Sequence, residues 1–207
     1  MVFISIGRGC MVKYQINKQI GSTPTLFFDW LITDMDSVIE IFNNYSCGNI
    51  NELLSCKNVA QCSKSPIHNN KHARIFIGPD FLPCCISIHD VNSIYTDADI
   101  CNFVEKYKRR FARIIEYINS NEKIYFIRYD KINNDQKLKF IETIKRINNP
   151  CDFELIAIKP NQNNSDIKVE QNYKEINLQI IEVEKEIEDW TYSHWDWKNI
   201  FDEITKE

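Results

Sequence analysis

The first residue in the chain that could do chemistry is Cys10, in the stretch SIGRGCMVKYQI. It follows a short apolar strand and the turn Gly7-Arg8-Gly9, and it precedes a helical pattern. The free N–H groups and the positive dipole end of a helix stabilise a thiolate, which is the reactive form of cysteine. Glycines permit close backbone approach, so the turn could hold an oxyanion or a phosphate. Cys10 is therefore a candidate nucleophile, and the alternative is an ordinary small buried residue.

A cysteine nucleophile needs a base, and the chain has four histidines. His89 lies at the end of an apolar run, a position where α/β folds commonly place functional groups. The others, His68, His72 and His194, lie in polar or aromatic surroundings typical of surface or packing residues. From the residues alone, the favoured interpretation of His89 is a core histidine that is hydrogen-bonded to a neighbouring carbonyl or to Asp90. The alternative is a catalytic base.

A basic stretch, KYKRRFAR at residues 106–113, concentrates positive charge locally. Most such stretches are the solvated face of an amphipathic helix, and apolar residues at helical spacing supply a buried stripe here. Arg109 or Arg110 could instead clamp a carboxylate or a phosphate. Arg128, at the end of a later apolar run, is a similar candidate.

The scattered cysteines and histidines are candidate ligands of a metal ion. No C-x-x-C step, which would hold two ligands on one turn, occurs among them. We expect neither a metal nor another cofactor. The candidate zinc ligands are Cys47, Cys56, Cys62, His68, His72, Cys84 and Cys85.

The hydrophobic periodicity predicts strands that alternate with helices, which favours an α/β fold: one domain over residues 1–207, with a mainly parallel sheet flanked by helices. Asp36 or Ser37 is the predicted cap of the second helix, and residues 160–172 are a predicted polar connection. Strands are expected at 2–6, 73–78, 84–91, 123–129, 153–158 and 176–183, and helices at 11–20, 36–42, 100–118 and 135–147.

Composition narrows the possible partners and location. A net charge of −4 argues against general nucleic-acid binding, which needs concentrated positive charge. No apolar run reaches the ~20 residues that cross a bilayer, and the start of the chain lacks a signal-peptide pattern. We expect no membrane association and a cytoplasmic protein whose eight cysteines are thiols. The oligomeric state stays open.

Four blocks occur in an order that resembles a family of uncharacterised proteins called "putative papain-like cysteine peptidases". They fit the family pattern S-x-G-x-x-C, P-F-D-W, a His-Asp pair, and a K-Y-x-R-R helix before an apolar strand ending in Arg. Thr25-Leu26-Phe27 lengthens the second block between its proline and FDW. The four blocks are SIGRGC at 5–10, FDW at 28–30, HD at 89–90 and KYKRR at 106–110.

The resemblance implies a thiol hydrolase that cleaves a peptide, isopeptide or other acyl bond in a peptide or protein substrate. Cys10 would be the nucleophile and His89 the general base. Asp29 is favoured as the third member, because Asp90 should point to the opposite face of the strand from His89. Asp29 could instead cap the segment that follows it. The family name also implies an α+β papain-like fold as the alternative to the α/β domain.

Two other functions remain open. The Gly7 to Cys10 loop could bind the phosphates of a nucleotide or nucleotide-sugar, which would make the protein a transferase. However, G-R-G-C is neither G-x-G-x-x-G nor a P-loop. The third possibility is a catalytically inactive interaction protein on an enzyme-like scaffold.

Overall fold

A five-stranded sheet forms the centre of the protein. The structure is a computed structural model, and it describes residues 1–61, 74–76, 85–87, 96–161, 166–179 and 195–206. The strands of this sheet are β1 Val2–Ser5, β6 Ile124–Tyr129, β7 Phe153–Asn161, β8 Asp166–Glu170 and β9 Tyr173–Gln179. Their order in the sheet is β1-β6-β7-β9-β8. The pairs β1/β6, β6/β7 and β7/β9 are parallel, and the edge pair β8/β9 is antiparallel. The predicted α/β class is confirmed.

A second sheet of very short strands has the order β2-β5-β4-β3 and is antiparallel throughout. The predicted strands near 73–78 and 84–91 pair with each other in it as β4 and β5. The two outer strands were not predicted. The four strands are β2 Leu31–Thr33, β3 Val59–Gln61, β4 Arg74–Phe76 and β5 Cys85–Ser87.

Six α-helices lie in the described part of the chain: α1 Met11–Ile20, α2 Met35–Ser46, α3 Ile50–Leu53, α4 Asp97–Ile118, α5 Asn134–Ile147 and α6 Trp197–Thr205. A 3₁₀ helix, Cys56–Asn58, follows α3. Thr96 and Asp99 form a reciprocal capping box at the start of α4, as their types and spacing suggest. The cap of α2 is Asp34 rather than Asp36 or Ser37, because the Asp34 carboxylate accepts the Ser37 N–H at 2.7 Å.

Both faces of the parallel sheet are covered, as parallel sheets require. Alternate residues of β6 belong to two hydrophobic cores, one on each face of the sheet. Ile124 and Phe126 belong to the first core, together with residues of α2, α4 and α5. Tyr125 and Ile127 belong to the second core, together with residues of α1 and α6. Trp197 lies in the second core. Helix α1 therefore starts at the carboxyl end of β1 and is held against the sheet.

The polar segment 160–172 contains more regular structure than expected. Strand β7 continues to Asn161, and β8 and β9 form an antiparallel edge pair around a turn at Asn172, which has a φ of 60°. Among the described residues, no helix combines the length and apolar character needed to cross a membrane.

Candidate active site

The loop between β1 and α1 has an unusual backbone. Gly7 and the non-glycine residue Arg8 both have positive φ, at 90° and 66°. A Cβ atom on Gly7 would lie 1.7 Å from Thr33 Oγ1, so no larger residue fits there without movement. Glycine at position 7 thus allows the loop after β1 to approach Thr33 of β2 closely.

Arg128 holds this loop from inside the protein. Its buried guanidinium donates to the Ile6 carbonyl at 3.0 Å and to the Thr33 carbonyl at 2.9 Å, which ties the end of β1 to the end of β2. Asp130 lies 3.6 Å from the same guanidinium and also accepts a hydrogen bond from Arg8. The structure therefore assigns Arg128 a structural bond between the two sheets, and it pairs Arg8 with a carboxylate.

Cys10 occupies the N-cap position of α1, and its carbonyl accepts the Tyr14 N–H at 3.0 Å. The side chain is half-buried. Burial raises the pKa of the Cys10 thiol above its usual value, and a backbone hydrogen bond offsets this only in part. The start of a helix alone does not produce a thiolate here, so nucleophilic chemistry at Cys10 needs a base.

Asp29 lies in the turn before β2 and is 1% exposed. Its Oδ2 atom accepts the Leu26 N–H at 2.7 Å and lies 3.1 Å from Lys13 Nζ. Burial raises the pKa of Asp29 to about 6, against the opposing effects of Lys13 and of the Leu26 N–H. The Oδ1 atom is buried and has no hydrogen-bond partner among the described residues. Asp29 thus has one saturated oxygen and one that can still accept a donor.

Lys13 is the residue of this region that sequence reasoning missed. It is buried on α1, one helical turn after Cys10, and its ammonium contacts Asp29. The ammonium also donates to Thr23 Oγ1 at 2.6 Å and to the Pro24 carbonyl at 3.0 Å. The sequence signal for its burial is that Lys13 lies between the buried residues of an amphipathic helix. Lys13 brings the Cys10 helix and the Asp29 turn together.

Arg109 and Arg110 lie in different surroundings. Arg110 lies over the Tyr107 ring at 4.9 Å, and its charge slightly lowers the pKa of Asp29. Arg109 instead lines a cavity of about 470 Å³ between α2, α3 and α4, with Tyr45 and Phe111 among its other lining residues. Of the two arginines, Arg110 is therefore the one associated with the Asp29 region.

Several predicted residues fall outside the described part of the chain. These are His89, with Asp90, and the candidate ligands Cys62, His68, His72 and Cys84, together with His194. The pairing of Cys10 with His89 thus stays a prediction. Within the described ranges, no group of three or more potential ligand residues could hold a metal ion.

The fold and this region together define an α/β protein with a half-buried cysteine at the first strand-to-helix turn and a buried lysine–aspartate pair one helical turn away. The chain belongs to the family described as "Putative papain-like cysteine peptidase (DUF1796)", whose model matches residues 1–163. The expected family is confirmed.

A relative with no described function is also found. The chain is 25% identical, over an alignment of 223 residues that covers 96% of each chain, to an uncharacterised protein of Acanthamoeba polyphaga mimivirus. No solved structure matches the chain.

Proposed function

We propose that the protein is a cysteine hydrolase that cleaves a peptide, isopeptide or other acyl bond in a peptide or protein substrate in the cytoplasm. Cys10 is the nucleophile, His89 the general base and Asp29 the group that orients the imidazole. The observation that supports the proposal is the buried Oδ1 atom of Asp29, which has no hydrogen-bond partner among the residues that the structure describes. A buried carboxylate oxygen without a donor is costly, and an imidazole N–H would satisfy it.

The register of the second sheet supports the pairing of Asp29 with His89. Strands β2 and β5 are antiparallel, and Leu31 pairs with Ser87. Asp29 precedes Leu31 by two residues and His89 follows Ser87 by two, so both leave the same end of this ladder. Two residues span at most about 7 Å of chain, which limits how far either can be from that end.

The fourth sequence block is associated with the same end of β5. Tyr107, on α4, donates from its hydroxyl to Ser87 Oγ at 3.5 Å, and the Arg110 guanidinium lies over the Tyr107 ring. The family blocks that contain Asp29 and Tyr107 therefore both approach the strand that leads to His89. This accounts for why blocks far apart in the sequence would occur together in one site.

The proposed reaction begins when His89 takes the proton from Cys10 Sγ. The thiolate attacks the carbonyl carbon, and backbone N–H groups of residues 9–11 stabilise the oxyanion, since the first N–H groups of a helix have no intrahelical acceptor. His89 then gives its proton to the leaving group. Water, deprotonated by His89, hydrolyses the thioester and restores Cys10. Asp29, with a pKa of about 6, is ionised at neutral pH and stabilises the imidazolium.

The nucleotide-binding alternative has less support. Arg8 pairs with Asp130, Arg128 is committed to two backbone carbonyls, and Arg109 lies in a cavity lined by residues of α2, α3 and α4. Of these three arginines, Arg8 and Arg128 are therefore bound to other protein groups, and Arg109 lies in the wall of a separate cavity.

The pH dependence of Cys10 alkylation by iodoacetamide tests the proposal. In the wild type, an imidazole next to the thiol should give an apparent pKa below ~8.5, the value of a free thiol. In His89→Ala, the thiol should return to the raised pKa that burial gives it, and alkylation at neutral pH should slow by at least about tenfold. His72→Ala is the matched control and should leave the profile unchanged. Identical profiles in the wild type and His89→Ala would contradict the proposal.

A further inference from the structure

Two other thiols, those of Cys56 and Cys101, are neighbours in the fold. Cys56 begins the 3₁₀ helix, and Cys101 lies in the second turn of α4. Their sulfur atoms are 2.8 Å apart, and both side chains are exposed. The two residues are separated by 45 positions in the sequence, so the tertiary fold and not local chain geometry brings them together.

We propose that Cys56 and Cys101 form a reversible disulfide and that this pair is a redox modification site. The oxidant is a low-molecular-weight disulfide of the glutathione disulfide class. The proposal is independent of any catalysis by Cys10. It also agrees with a cytoplasmic location, where disulfides are typically transient and redox-sensing.

The two sulfurs are held by well-anchored backbone. The 3₁₀ helix is fixed by the Asn58 amide, which donates to the Glu52 carbonyl at 2.8 Å, and by the Asn58 N–H, which donates to the Ser55 carbonyl at 3.0 Å. The start of α4 is fixed by its capping box. A disulfide bond of about 2.05 Å needs the sulfurs to move closer by only about 0.8 Å, which side-chain rotation can supply.

Cys47 provides an internal comparison. It is also exposed, and its sulfur lies 4.0 Å from Ser46 Oγ. In the described ranges no other thiol contacts Cys47 to resolve a mixed disulfide formed there, whereas Cys56 lies beside Cys101. The two sites therefore differ in outcome although both are accessible to the same oxidant.

The reaction proceeds by two thiol–disulfide exchanges. The Cys56 thiolate attacks one sulfur of glutathione disulfide and releases one glutathione thiol, which leaves a mixed disulfide on Cys56. Cys101 Sγ then attacks the Cys56 sulfur, loses its proton and releases the second glutathione thiol. Two protein thiols are oxidised to one disulfide, and one glutathione disulfide is reduced to two thiols.

The assignment of the first attack to Cys56 follows from the surroundings of Cys101. The hydrogen bond with Cys56 raises the pKa of the Cys101 thiol, and the nearby carboxylates of Asp97 and Glu105 add to this effect. A thiol with a raised pKa is a poorer first nucleophile. Once Cys56 carries glutathione, the short distance between the sulfurs favours the second, intramolecular step.

The experiment is an equilibration of the full chain with glutathione and glutathione disulfide at a series of ratios, followed by alkylation of free thiols and peptide mapping. The variants are Cys56→Ser, Cys101→Ser and, as the matched control, Cys47→Ser. All are also made in a Cys10→Ala chain, so that exchange at Cys10 cannot account for the result. Because the three substituted side chains are exposed, each variant should fold.

A peptide cross-link between Cys56 and Cys101 is expected at a ratio of glutathione disulfide to glutathione at least about tenfold lower than the ratio that half-modifies Cys47, because the second step is intramolecular. Cys47→Ser keeps the cross-link. Cys56→Ser and Cys101→Ser lose it, and the remaining partner carries one glutathione. The proposal is overturned if Cys56 and Cys101 are modified singly at the same ratio as Cys47, stay reduced there, or cross-link to other cysteines.

Discussion

The Lys13 ammonium lies 3.1 Å from Asp29 Oδ2, and the two side chains are 2% and 1% exposed. This buried ion pair joins the helix that follows Cys10 to the turn that contains the FDW block. Removing one partner of such a pair leaves an uncompensated buried charge, which is far more costly than loss of a surface ion pair. The stability of this region therefore depends on the charges of Lys13 and Asp29.

Lys13→Met should lower the free energy of unfolding by about 3 kcal/mol at pH 7, because buried Asp29 loses its cation and must either stay charged without a partner or take up a proton. Urea unfolding of the variant and the wild type measures the difference. Lys18→Met, at the exposed end of the same helix, is the control and should change stability by less than about 0.5 kcal/mol. Equal effects of the two substitutions would show that the pair contributes little.

The raised pKa of Asp29 predicts a pH dependence of stability with a defined sign. The folded protein, with Asp29 at a pKa of about 6, binds this proton more tightly than the unfolded chain, where the value is 3.8. The contribution of Asp29 to the free energy of unfolding therefore falls as pH rises from about 4 to about 6, by an amount of the order of 3 kcal/mol.

Subtracting the unfolding free energies of Asp29→Asn from those of the wild type isolates this effect, because other titrating groups largely cancel. The difference should decrease between pH 4 and 7. A difference that increases over the same range would mean that Lys13 lowers the pKa of Asp29 more than burial raises it.

Gly7→Ala should destabilise the protein by about 3 kcal/mol or more. The added methyl group would collide with Thr33 Oγ1, and the φ of 90° is unfavourable for alanine. Gly48→Ala is a matched control, since Gly48 has a φ of 79° but open space around it, and it should cost only about 1 kcal/mol. Thermal unfolding compares the two.

The double variant Gly7→Ala, Thr33→Ala separates collision from backbone strain. It removes the oxygen that a Cβ at position 7 would strike, so it should recover part of the stability that Gly7→Ala loses. No recovery would indicate that the cost at Gly7 comes from its backbone conformation alone.

The sequence was sufficient for the parts of the fold that have strong periodicity or recognisable caps. The long apolar stripe and the Thr96–Asp99 box gave α4, and the apolar run at 123–129 gave β6. The strands of the second sheet are only three residues long, so β2 and β3 carry no alternation to detect. Strand β8 lies at an exposed edge, and the polar residues before and after its five residues make the segment resemble a loop in the sequence.

A residue of the candidate site was predictable from the sequence only where its surroundings are the usual ones for its residue type. Lys13 was missed because a lysine is ordinarily exposed, and only tertiary contacts with Asp29 and Thr23 make its burial favourable. The sequence suggests Arg128 as an anion clamp, but its donors are directed at the carbonyl of Ile6, just after β1, and at that of Thr33 in β2. No sequence pattern encodes these two contacts.

Arg128 yields the final prediction, because its guanidinium is the strong donor shared by the buried Ile6 and Thr33 carbonyls. Arg128→Met should cost about 3 kcal/mol or more, since it leaves these carbonyls without that donor. Arg128→Lys should recover less than half of the loss, because one ammonium cannot reproduce the planar fork that reaches both strands. Asp130→Asn is the comparison and should cost less than about 1 kcal/mol, as its side chain lies nearer the surface. If Arg128→Lys matched the wild type in urea unfolding, the guanidinium geometry would not be what joins the two sheets.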